Sequence, residues 1–109
     1  MIDGMPSFHD AEVLETSMTF AGSDAEFRVR MRLSNSRSTT LRFIGVRTFM
    51  ANADVAFFMQ ASRSVSDIYV LGQARLQGTE VGETRYEIEL CPPAGRFEIL
   101  ARELIMDSA

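Results

Sequence analysis

Lysine and tryptophan are missing from this chain, and cysteine and histidine occur once each. With one cysteine, Cys91, no internal disulfide can form, which fits a reducing cytoplasm. Cys91 lies beside Pro92 and Pro93 with no cysteine-hydrolase motif around it, so it reads as a structural thiol. With one histidine, His9, the chain lacks the converging ligands that a metal site needs, and no metal or cofactor is expected. Gly72, Gly78, Gly82 and Gly95 are not followed by the lysine of a phosphate-binding loop. No apolar run approaches the roughly 20 residues of a membrane-spanning helix. The opening Met-Ile-Asp-Gly-Met-Pro lacks a basic start followed by an apolar stretch, so no signal peptide is expected. Repeats, low-complexity tracts and long linkers are also missing.

What is present is ordinary globular composition: 109 residues, 46% hydrophobic and 24% charged, with a net charge of −4. One domain over residues 1–109 is expected, large enough to bury about two thirds of its unfolded surface. The acidic balance gives no support to a nucleic-acid partner or an anionic membrane. All 11 basic residues are arginine, through coding bias or through selection for planar, bidentate contacts to carboxylates.

The most informative stretch is Ala25–Leu33. Phe27, Val29, Met31 and Leu33 alternate with Arg28, Arg30 and Arg32, the period of a strand with one dry and one wet face. A strand over Glu12–Ala21 precedes it, with Leu14, Met18 and Phe20 on one face. The turn Ala21-Gly22-Ser23-Asp24 joins the two as a hairpin. After the turn 34–38, Thr39–Val46 is a third strand with Leu41, Phe43 and Gly45 on one face. Val65–Leu71, continuing to Leu76, then Arg85–Cys91 and Arg96–Met106 complete the set, with a loop over 77–83. Tyr86, Ile88 and Leu90 are expected inside, with Glu87 and Glu89 outside.

Ile44, Val46, Leu100, Leu104 and Met106 give some strands a second apolar face. That face is covered by residues 49–61 or by self-association into a homodimer. Asp54 is a fair N-cap for a short helix from Val55 to about Ser62, with a buried strand as the alternative. The expected fold is mainly β, a β-rich α+β domain. It has about six antiparallel strands in a meander, as a curved sheet or two-sheet sandwich, and one short helix.

Two groups of residues have functional interest. Arg28, Arg30 and Arg32 lie about 7 Å apart on one face of a strand, with Glu15 and Arg42 predicted on the strands either side. They form either a solvated charged face paired with Glu87, Glu89 or Glu98, or a docking surface for an acidic protein partner. Single-stranded nucleic acid would require aromatics on that face, and it has none. The second group is His9, Asp10 and Glu12. It is either an acid–base or ligand-binding site, or a start motif in which Asp10 caps a turn and His9 donates to a carboxylate or carbonyl.

The segment Phe8-His9-Asp10-Ala11-Glu12-Val13-Leu14, followed by Leu41-Arg42-Phe43-Ile44-Gly45-Val46, resembles a family of small bacterial proteins with Phe-His-Asp-Ala-Glu and Leu-Arg-Phe-x-Gly-Val segments. Its members are grouped with immunity proteins of polymorphic toxin systems or left as uncharacterised domains. The likeness covers mainly residues 8–46. It implies a cytoplasmic binding protein without catalysis, acting on a protein partner such as a toxin. The alternative is a small ligand-binding or enzymatic β-barrel-like domain that uses His9, Asp10 and Glu12.

Overall fold

The alternation of Phe27, Val29, Met31 and Leu33 with arginine is that of a strand at the centre of a folded sheet. The structure, a computed structural model, describes residues 8–22, 24–53, 64–76, 79–91 and 95–108. These form β1 (Ala11–Ala21), β2 (Asp24–Arg32), β3 (Ser38–Ile44), β4 (Thr48–Ala53), β5 (Ser64–Leu76), β6 (Thr79–Leu90), β7 (Gly95–Ala101) and β8 (Glu103–Ser108). They make one open, eight-stranded antiparallel sheet in the order β4-β7-β6-β5-β1-β2-β3-β8.

The mainly-β expectation holds, but the strand count and the meander need correction. Thr48–Ala53 is a strand. Thr79–Glu83, expected as loop, belongs to β6. Arg96–Met106 is two strands broken at Arg102. Residues β1–β3 and β5–β7 each run as a meander, but β4 pairs with β7 and β8 returns to β3. No helix occurs among the described residues, and the helix expected over 55–62 lies outside them.

The sheet bends back so that its two halves, β1-β2-β3-β8 and β4-β7-β6-β5, meet at their apolar faces. Phe27 on β2 sits 4.6 Å from Phe49 on β4 and 6.2 Å, edge-on, from Phe97 on β7, centroid to centroid. Phe43 on β3 meets Tyr86 on β6 edge-on at 5.3 Å. Phe27, Val29, Met31, Leu41, Ile68, Ile88 and Ile99 are all buried between the halves. Burial of each such side chain contributes roughly 1.5–3 kcal/mol, so this shared core holds the halves together.

Two irregularities change which residues face inward. Val13 pairs with Met31 but Glu15 with Arg30, so Leu14 is an extra residue in β1. Ala11 and Val13 are therefore buried, and Met18 packs inward beyond the bulge. Plain alternation along the strand would set Val13 on the face opposite Met18. The second irregularity is the break at Arg102. Phe97, Ile99 and Ala101 face the core before it; Leu104 and Met106 do so after it. These last two, with Val46, thus cover part of the core rather than forming a second apolar face.

Among the described residues the backbone ladders of the two halves are joined at two places. One is narrow: β1 meets β5 only at Ala11–Val65 and Glu12–Ser64. The other is a corner. The β3–β8 ladder ends at Ile44–Glu103, and the β4–β7 ladder resumes at Thr48–Leu100. Between them the Arg102 N–H donates to the Ile44 carbonyl at 3.0 Å, and the Arg47 N–H to the Leu100 carbonyl at 2.7 Å. Two segments, 44–48 and 100–103, therefore carry the ladder round the bend together, as strands that switch layers do. Gly45 makes the bend with φ +69°, and the Arg102 side chain lies where a Cβ would stand. Left-handed backbone costs about 1–2 kcal/mol for a residue with a side chain. Gly45→Ala is expected to lower stability by about that amount in denaturant unfolding. Adding Arg102→Ala should not restore it, because removing the guanidinium leaves φ unchanged. A variant as stable as the parent would contradict the corner.

Candidate functional site

Because β2 buries its odd-numbered residues, its even-numbered ones face solvent. Arg28, Arg30 and Arg32 are all exposed, as the sequence predicts. Glu15 and Arg42 lie on the strands either side, as expected, and the register sets Glu15 opposite Arg30 and Arg42 opposite Arg28. The ion-pair partners differ from expectation. Glu87, Glu89 and Glu98 lie on the other half of the sheet, so none of them meets the arginine row.

Glu26 is the organising group. Its carboxylate accepts from Arg42 Nη2 at 2.9 Å and Arg42 Nε at 3.3 Å, and from Arg28 Nε. Arg42 also reaches Asp107 on β8 at 3.5 Å, and Arg32 lies 3.6 Å from Glu12 on β1. Arg30 has no ion-pair partner among the described residues. The face is thus a lattice of both signs across four strands, with one uncommitted guanidinium at its middle. Exposed pairs of this kind add little stability individually, but they hold long side chains in place.

The outer face of the other half is different. The Glu89 carboxylate, then partial desolvation, then Asp67 and Glu87 raise the Tyr69 phenol pKa. Arg96 sits 3.4 Å from Glu87 and 3.3 Å from Glu98.

His9, Asp10 and Glu12 do not converge. The His9 Nδ1 lies 3.1 Å from the Ser66 carbonyl. A carbonyl only accepts, so Nδ1 carries the proton. His9 Nε2 is 3.5 Å from the Asp10 carboxylate, with both side chains exposed. The Asp10 N–H donates to the Val65 carbonyl at 2.9 Å, from a backbone with φ 62° that aspartate tolerates better than most residues. Glu12 turns away to Arg32. Phe8 and Ala11 are buried on either side. The segment therefore stitches β1 to β5 at the narrow seam: His9 donates to a carbonyl, as the start-motif reading has it, while Asp10 acts through its backbone N–H and not as the expected side-chain cap. No group of three or more His, Cys, Asp or Glu among the described residues is placed to hold a metal ion.

A further polar cleft of about 400 Å³ lies at the corner, where Arg47 pairs with Glu83 at 3.2 Å and Arg102 with Asp24 at 3.0 Å. Its residues come from four distant parts of the chain, so no local motif signals it. Cys91 is half-buried at the end of β6, its N–H donating to the Ser64 carbonyl.

No known family and no curated protein matches this sequence. No helix among the described residues is long and apolar enough to cross a membrane.

The bonds from Arg42, and then from Arg28, hold the Glu26 carboxyl below the usual carboxylate range. The same contact raises the Arg42 guanidinium. A carboxyl lowered on folding stabilises the fold above its unfolded-state pKa, and that contribution is lost as pH falls through the lowered, folded-state value. Melting temperature is therefore expected to drop on acidification through and below the usual carboxylate range. The drop should be shallower in Glu26→Gln than in the parent. Parallel acid limbs in the two proteins would contradict the pairing.

Proposed function

We propose that this chain is a non-catalytic, cytoplasmic protein-binding module of the immunity-protein kind, which neutralises a toxin by direct contact. The observation that carries the reading is Arg30. It stands exposed on β2, a strand whose other face is buried, with no ion-pair partner among the described residues. Its neighbours Arg28 and Arg42 are held by Glu26. A guanidinium on a rigid strand, framed by fixed charges, suits a carboxylate of a partner, which it can grip through two parallel N–H bonds. The alternating signs around it add selectivity, because a partner must match the arrangement rather than merely be acidic.

The test is binding to the product of the neighbouring gene. The two purified proteins are expected to form a complex, and Arg30→Glu to weaken it at least about tenfold, or 1.4 kcal/mol. An exposed substitution of this kind should leave unfolding free energy within about 0.5 kcal/mol of the parent. Unchanged affinity in a folded Arg30→Glu protein would overturn the assignment of the face.

A further inference from the structure

Among the described residues the sheet ends in two strands, β8 and β4, and only β8 carries charged side chains. A terminal strand presents backbone N–H and C=O groups to any passing strand, and charged side chains are the usual defence. β8 carries Glu103 and Asp107. β4 reads Thr-Phe-Met-Ala-Asn-Ala and is the only one of the eight strands with no ionisable residue. It pairs with β7 along its length and with no other strand among the described residues. Residues 48–52 are all exposed, Met50 to 59% and Phe49 to 38%.

We propose that β4 is a dimerisation edge, on which a second copy of this chain lays its own β4 antiparallel across a two-fold axis. This surface is separate from the arginine face and does not rest on the function proposed for it. The charge pattern selects the occupant. Each copy carries a net charge of −4, so two copies repel over most of their surfaces. Along β4 a neutral strip meets a neutral strip. Pairing β8 with β8 about Ile105 would instead set Glu103 opposite the second copy's Asp107, and like charges directly opposed are destabilising.

Side-chain size points the same way. A two-fold axis at Met50 places Phe49 opposite the second copy's Ala51, a ring beside a methyl, and Thr48 opposite its Asn52, two polar groups. An isologous contact of this kind closes at two copies and uses up the exposed edge, so it does not propagate into a fibre.

Sedimentation of the purified full chain across the micromolar range tests this. A monomer–dimer equilibrium is expected. Met50→Lys should weaken it at least tenfold by setting two ammonium groups opposite each other, while Ile105→Lys on β8 should leave it unchanged. Met50 is well exposed, so the Met50→Lys monomer should melt close to the parent. A second reading uses Met50→Cys with Cys91→Ser. Residues opposed at the axis have Cα atoms within about 4.5–5.5 Å, inside disulfide range, so mild oxidation should give a covalent dimer. The proposal is overturned by a parent that stays monomeric, including one whose β4 edge takes only a different protein. It is equally overturned by a dimer that survives Met50→Lys, that is lost with Ile105→Lys, or that forms without cross-linking at position 50.

Discussion

The structure depends on one contact, the meeting of aromatic rings from opposite halves of a single sheet. Phe27 comes from the β1-β2-β3-β8 half, and Phe49 and Phe97 from the other. Phe43 and Tyr86 repeat the arrangement further along. Flat, the same sheet would leave an apolar face in water. Bent, it encloses that face and turns both charged faces outward. The backbone connections between the halves are slight by comparison: two residue pairs at the β1–β5 seam, and the corner at Gly45 and Arg102. Hydrophobic burial sets the shape, and these connections fix where the bend falls.

This division of labour gives the sequence resemblance a physical content. Phe8, His9, Asp10 and Ala11 form the seam, through a buried ring, a side-chain bond to Ser66, a backbone bond to Val65 and a methyl in the core. Leu41 and Phe43 fill the core, Arg42 joins the outer lattice, and Gly45 turns the corner. These residues are accounted for by how the chain folds. At exposed positions such as Arg30, by contrast, the architecture leaves side-chain choice free.

The strand with strict alternation was legible from residue order, and so were the two strands that flank it. Glu15 beside Arg30 and Arg28 beside Arg42 follow from short hairpin turns and period two. Beyond that, local pattern failed for identifiable reasons. One extra residue at Leu14 and one at Arg102 reverse the facing of everything that follows, and neither has a composition that announces it. β4 lacks alternation because both its faces are largely exposed. The partners of the arginines depended on which half of the sheet each glutamate joins. That is decided by β8 returning to β3 while β7 stays with β6, a long-range pairing that no short window of sequence contains.

The most direct measurement is a set of proton–proton contacts between aromatic rings in solution by nuclear magnetic resonance. The folded sheet predicts strong cross-peaks from Phe27 to Phe49 and Phe97, and from Phe43 to Tyr86, each joining residues of opposite halves. Cross-peaks confined to rings within one half, with Phe27 lacking any to Phe97, would mean that the sheet does not close on itself.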